Sequence, residues 1–240
     1  MFDAHFHIVD PAYPLIPNNG YLPEPFSVDD YLRRVAPYGI DGGAIVSGSF
    51  QGFDQGYLRA ALGRLGPGWV GVTQLDPSTA DEEIVSLDAA GVRAVRFTLA
   101  RGGGLDVALA QRVHTLVGWR AELYVDAAML PSLSPSLDAL PAFSIDHLCL
   151  SEAGLPALLD AVARGARVKA TGFGRLGMDV ARTLRRIDAV DPQALLFGTD
   201  LPGTRAPRAF SPEDLTLISD ALGSDALERL SENARRWYRL

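Results

Sequence analysis

The chain is poor in cysteine, in uncompensated positive charge and in long apolar runs. Cys149 is the single cysteine among 240 residues, so no intrachain disulfide can form, and a reducing compartment is expected. Basic residues number 22 against 29 acidic, a net charge of −7. No block of like charge and no basic stripe stands out, so neither a nucleic-acid backbone nor an anionic membrane surface is an expected partner. No apolar run approaches the ~18 residues of a membrane span, and residues 1–9 are too short and too polar for a signal sequence. Internal repeats, low-complexity tracts and domain boundaries are missing too. What remains is an ordinary globular composition, 48% hydrophobic and 21% charged, long enough for one sizeable core. The expectation is a cytoplasmic, single-domain protein spanning residues 1–240, with homo-oligomerisation left open.

Against that background the first residues stand out. Asp3-Ala4-His5-Phe6-His7 lies inside the apolar run Met1–Val9, which reads as a strand. Side chains alternate faces along a strand, so Asp3, His5 and His7 are expected to point the same way. Three groups able to bind metal or move protons have little use on a solvated strand and need partners on a buried one. The plain alternative is a polar edge strand. A second polar cluster late in the chain, around Asp200, argues for a shared site instead.

Short apolar, β-branched runs alternate with longer amphipathic ones along the rest of the chain. The spacing predicts strands over Phe2–Ile8, Gly43–Ser47, Trp69–Leu75, Val92–Thr98, Ala121–Val125, Phe143–Leu148, Arg167–Thr171 and Leu195–Thr199. Helices are predicted between them, with further ones over Pro212–Leu222 and Asp225–Tyr238. Ser27 before Asp29-Asp30, and Ser211-Pro212-Glu213-Asp214, carry helix-start chemistry. Strict strand–helix alternation implies parallel strands with helices outside. Eight such units in 240 residues predict a (β/α)8 TIM barrel with an extra C-terminal helix. An open doubly wound sheet is the rival, but no glycine-rich phosphate loop follows the first strand, and Gly102-Gly103-Gly104 lacks the spacing.

In such a barrel the C-terminal strand ends carry the chemistry. Read in order, they offer His5 and His7, then Ser47 and Ser49, Gln74 and Asp76, Arg96 and Arg101, Tyr124 and Asp126, Asp146 and His147, Lys169 and Arg175, and finally Asp200. Each has a bland counterpart. His147 could be a satisfied core histidine, Asp200 a cap, and Lys169 either an interior ion pair or a binding group. Asp146, next to His147, is expected on the opposite face unless a bulge intervenes.

These residues resemble the barrel amidohydrolases of the amidohydrolase-2 type. Asp-x-His-x-His on the first strand, Ile145-Asp146-His147, Gly198-Thr199-Asp200-x-Pro202 and the ending Glu232-Asn233-Ala234-x-x-x-Tyr238 look like that family's marks. Within it the chain is most similar to the 2-pyrone-4,6-dicarboxylate lactonase branch, often called predicted metal-dependent hydrolases. The resemblance implies hydrolysis of a lactone, or a related cyclic ester, of a small anionic organic acid. It implies Asp200 as general base with His5, His7 and His147 around it. It places substrate contacts at Tyr21, Ser49, Arg96, Arg101, Tyr124 and Arg175. The lactonase branch implies no required cofactor. Two readings stay open beside it. One is a zinc-dependent amidohydrolase or non-oxidative decarboxylase, with His5, His7, His147 and Asp200 as ligands. The other is a barrel that binds an organic acid without catalysis.

Overall fold

A computed structural model describes residues 1–240. Eight parallel strands lie side by side in sequence order, each followed by a helix, in a nearly closed barrel. The strands are β1 (Phe2–Phe6), β2 (Gly42–Val46), β3 (Trp69–Thr73), β4 (Val92–Phe97), β5 (Arg120–Leu123), β6 (Phe143–Ile145), β7 (Arg167–Ala170) and β8 (Leu195–Phe197). The helices are α1 (Val28–Val35), α2 (Gly56–Leu65), α3 (Asp81–Ala89), α4 (Val107–Val117), α5 (Leu130–Asp138), α6 (Leu155–Ala163), α7 (Val180–Val190), α8 (Pro212–Leu222) and the additional α9 (Ala226–Tyr238). The predicted (β/α)8 barrel with a C-terminal helix is the observed fold. No helix is long and apolar enough to cross a membrane.

The start signals work as expected. Ser27 and Asp30 close a reciprocal capping box on α1, and Ser211 and Asp214 do the same on α8 behind Pro212. The strands end one to three residues earlier than predicted, because the residues after them leave the ladder to build the mouth of the barrel. The largest change is on the sixth strand, predicted to reach Leu148. It stops at Ile145, and His147, Leu148, Cys149 and Leu150 all take left-handed backbone, with φ between 49° and 65°.

Outward side chains of the strands, such as Ile45, Val95, Leu123 and Val168, pack under the helices. The barrel interior is divided. Ala4, Ala44, Val46, Val70, Val72, Ala94 and Leu196 make one side apolar, and Trp237 and Tyr238 of α9 join them. The other side, on β4 to β7, carries the buried polar residues Arg96, Glu122, Ser144 and Lys169.

The seam between β8 and β1 closes just past the strand ends. Asp200 N donates to His5 O and His7 N donates to Leu201 O, both at 2.7 Å. Gly198 permits this approach, since a Cβ there would sit 2.9 Å from His5 N. Close backbone contact of this kind requires glycine.

Candidate active site

On β1 the expected common face of Asp3, His5 and His7 does not form. The pairing of β1 with β2 slips between Asp3 and Phe6. A slip of one residue reverses which side chains face inward. Asp3 therefore points out toward α1, where it accepts from Tyr31 Oη at 2.9 Å. It also accepts from Thr199 Oγ1 at 2.6 Å and Thr199 N at 2.9 Å, and from His5 N at 3.1 Å. Burial pushes its carboxyl up to about 6 against the pull of these donors. Asp3 is thus a brace that ties β1 to the turn carrying Asp200.

His5 and His7 turn inward and meet Asp200. The Asp200 Oδ1 atom lies 3.5 Å from His7 Nε2, 3.8 Å from His5 Nε2 and 3.9 Å from His147 Nε2. Asp200 itself takes left-handed backbone, φ 59°, a strain that a turn at a working site can store. His7 Nδ1 lies 2.7 Å from Val46 O. A carbonyl only accepts, so Nδ1 holds the proton and Nε2 is left facing Asp200.

Burial pushes His147 down to about 3 and His5 well below the ordinary imidazole range, so both rings are neutral at pH 7. Burial would raise Asp200, but the positive charge His147 carries at low pH and the Arg175 guanidinium outweigh it and hold the carboxyl well below the usual range. Arg175 Nε donates to Asp200 Oδ2 at 3.1 Å, and its Nη2 makes a second bond to the same oxygen.

Four buried atoms around this point have no hydrogen-bond partner: His5 Nε2, His147 Nδ1, Asp146 Oδ1 and Asp200 Oδ1. Of these, His5 Nε2 and Asp200 Oδ1 face each other across 3.8 Å, whereas Asp146 Oδ1 faces His5 Nδ1 and Lys169 and His147 Nδ1 lies against Gly172, so the first two border a gap that a bound species would fill. Ligand atoms of His5, His147 and Asp200 all lie within 4.8 Å of one another. A tetrahedral zinc, with ligands at about 2.0–2.2 Å, separates its ligand atoms by roughly 3.3–3.6 Å. The spacings from Asp200 to the three rings are close to this, so neutral imidazoles plus one carboxylate suit a divalent metal.

A layer of charge supports the site from below. Asp146 does not face away from His147 as strand alternation predicted. Because the strand has already ended, both turn inward. Asp146 Oδ2 accepts from Arg96 Nε at 3.1 Å and Nη2 at 2.8 Å, while its Oδ1 lies 3.3 Å from His5 Nδ1 and 3.5 Å from Lys169 Nζ. Lys169 is the chain's one lysine and is fully buried. It pairs with Glu122, which settles the choice left open above in favour of an interior ion pair. Tyr238 of α9 donates to the other Glu122 oxygen at 2.6 Å. A polar column thus runs from the C-terminal helix through Glu122 and Lys169 to His5. Glu122 was missed in the sequence reading, whereas Asp146 was named but placed on the wrong face. The available signal was a glutamate and a lysine at interior positions of strands that otherwise read as apolar.

Above the histidines the mouth is ringed by arginine. Ser49, Arg96, Arg101, Tyr124 and Arg175, each singled out above, line it together with His7 and His147. Tyr21 does not line it. Its ring lies under Arg205, 4.4 Å from the guanidinium, and Arg205 is the lining residue instead. The four arginines are not equivalent. Arg96 is committed to Asp146 and to Ser47 O at 2.6 Å, and Arg175 to Asp200. Arg101 reaches only Tyr124 Oη, at 3.2 Å, and Arg205 only Asn18. Neither has a carboxylate partner. Gly172, at φ 66°, keeps the space between mouth and base clear, because a Cβ there would lie 2.6 Å from His147 Nδ1 and 2.9 Å from Arg175 Nε.

Known proteins share this architecture. The chain is 27% identical over 227 residues to a 4-sulfomuconolactone hydrolase of Rhizobium radiobacter, covering 84% of this chain and 75% of that one. It is 27% identical over 247 residues to a D-galactarolactone isomerase of Agrobacterium fabrum, covering 92% and 83%. A crystal structure from Acinetobacter baumannii, described as a probable 2-pyrone-4,6-dicarboxylic acid hydrolase with citric acid bound, has the same fold. Its TM-score is 0.85 at 19% identity over 100% of this chain and 99% of that one. The amidohydrolase family profile matches residues 2–240, nearly end to end, and the chain belongs to the amidohydrolase family, as an enzyme of that superfamily.

Proposed function

We propose that this enzyme opens a lactone, or a related cyclic ester, of a small carboxylated organic acid of the 2-pyrone-4,6-dicarboxylate type. The observation that carries the reading is the pair Arg101 and Arg205, cations without carboxylate partners, standing over a buried aspartate and three histidines. The protein is net negative, so an anionic substrate must be gripped locally, through charge-assisted bonds. The two sequence relatives act on lactones by name.

Hydrolysis requires that a water oxygen attack the lactone carbonyl, that its proton be taken, and that the ring C–O bond break with the leaving oxygen protonated. Asp200, ionised at neutral pH, takes the proton and returns it to the ring oxygen as the C–O bond breaks. While Arg175 grips it, Asp200 is a weak base. An anionic substrate gives Arg175 a second partner and loosens that grip, so basicity rises when substrate is present. His7, with Nε2 bare, accepts a hydrogen bond from the water and orients it, and His147 polarises the carbonyl. The neutral His5 ring, backed by Asp146, holds the far side of the pocket.

The donor set also suits a metal, and His5, His7, His147 and Asp200 would hold it. When bound, it would act as a Lewis acid and lower the pKa of a water. The orphaned buried atoms favour that form. The Arg175–Asp200 pair, which already supplies the counter-charge, favours the metal-free form, and we take it as the working reading. Metal analysis of protein purified without chelator decides between them.

The test of the reaction is a panel of carboxylated lactones, with and without chelator, followed by NMR so that ring migration is seen as well as ring opening. Asp200→Asn is expected to fold normally and to lose at least about a thousandfold in kcat. Retained hydrolysis in that variant would remove Asp200 from the reaction.

A further inference from the structure

A second cavity adjoins the mouth. It is a groove of about 620 Å³ between the segments that follow β3 and β4. Arg96 and Thr98 line both spaces, so the two lie side by side with these residues between them. The remaining walls are largely apolar, with Leu75, Phe97, Leu105 and Val107 inside and Phe53 at the rim. Phe53 is 55% exposed, unusual for a phenylalanine with nothing packed over it.

Most polar groups along the groove already have partners. Gln74 Nε2 donates to Gly48 O at 3.0 Å and Gly52 O at 3.3 Å. Asp106 caps α4 by accepting from Leu109 N at 2.9 Å. Arg96 is held by Asp146 and Ser47. What the groove offers a ligand is therefore apolar surface. The run Gly102-Gly103-Gly104, which fits no phosphate loop, borders it through Gly103 and Gly104. A Cβ at Gly103 would press on Thr98 O at 3.1 Å, whereas at Gly104 it would meet nothing within 4 Å. Gly104 thus has room for a side chain at the edge of the groove.

We infer that this groove is a substrate subsite for an apolar, planar substituent, and that the enzyme acts on lactones whose anionic end sits under the arginines while an aryl group lies along Phe53 and Leu105. The inference rests on the proposed lactone-opening function and adds the second half of the substrate. Pockets with an apolar body and a few charged anchors select ligands of that composite kind. A buried apolar group of phenyl size discriminates by about ten- to a hundredfold.

Calorimetry with 4-phenylbutyrate and butyrate tests it without turnover. The intact enzyme should bind 4-phenylbutyrate at least about tenfold more tightly than butyrate. Gly104→Trp, which fills the groove at a position with room for a side chain, should abolish that difference and leave butyrate binding unchanged. Phe53→Ala, on the surface, should weaken 4-phenylbutyrate alone. Arg101→Ala should weaken both acids, because the carboxylate is held in the mouth. Equal binding of the two acids by the intact enzyme would overturn the inference, as would a preference that survives Gly104→Trp or 4-phenylbutyrate binding indifferent to Arg101→Ala. All these are binding measurements. An enzyme that opens no lactone but shows the preference would sink the proposed reaction and leave the subsite standing; lactone opening without the preference would do the reverse.

Discussion

Replacing Asp3 with asparagine should change how stability depends on pH without unfolding the protein. The substitution is tolerable because the asparagine oxygen still accepts from Thr199 N and His5 N, and its amide donates to the oxygens of the Tyr31 and Thr199 hydroxyls, which give up their bonds to the carboxylate. In the folded protein the Asp3 carboxyl sits at about 6, against 3.8 for the free group. Between those values the unfolded chain has lost this proton and the folded chain has kept it. The folded state binds more protons, so stability falls as pH rises through the window and stays lowered above it. A shift of this size corresponds to about 3 kcal/mol in all, of which roughly 1.4 kcal/mol falls between pH 5 and pH 7.5. Urea unfolding of both proteins across that range measures it. Wild type should lose about that much relative to Asp3→Asn on going to pH 7.5. Parallel curves would refute the reasoning, and an opposite slope would show that four donors outweigh burial.

The remaining predictions concern the site. Arg205→Ala and Arg101→Ala should each lower kcat/KM for a carboxylated lactone by about 2 kcal/mol or more, with melting temperature nearly unchanged. Arg96→Ala should instead destabilise the fold by about 3–5 kcal/mol in denaturant titration, because it leaves Asp146 buried beside one weaker partner. Lys169→Met should destabilise similarly, and Glu122→Gln added to it should restore part of the loss, since removing both charges is milder than stranding one. Gly172→Ala should abolish activity while leaving a folded barrel by circular dichroism, because its methyl would displace His147 and Arg175.

The barrel was legible because alternation of strand and helix survives any local detail, and the helix ends carry plain capping chemistry. The meeting of His5, His7, His147 and Asp200 was legible because a barrel gathers its strand ends. What escaped depended on register. Asp3 and Asp146 were both assigned to the wrong face, since a period of two fails where β1 slips against β2 and where β6 ends early. No residue near either place announces the change. Glu122 was hidden for a different reason: its partner is 47 positions away on β7, and nothing in the intervening sequence links them. Arg205 lay in a short segment after Pro202, where the pattern of residues says loop and nothing more.

The seam between the first and last strands has a consequence for biosynthesis. The backbone links that close the ring, from Asp200 to His5 and from His7 to Leu201, involve the groups that form the catalytic cluster. A nascent polypeptide still on the ribosome with seven strands extruded has an open sheet and three of the four residues of the candidate cluster, lacking Asp200. Closing the ring and completing the cluster are then a single late event, because a chain ending before Asp200 lacks both the seam and the fourth residue.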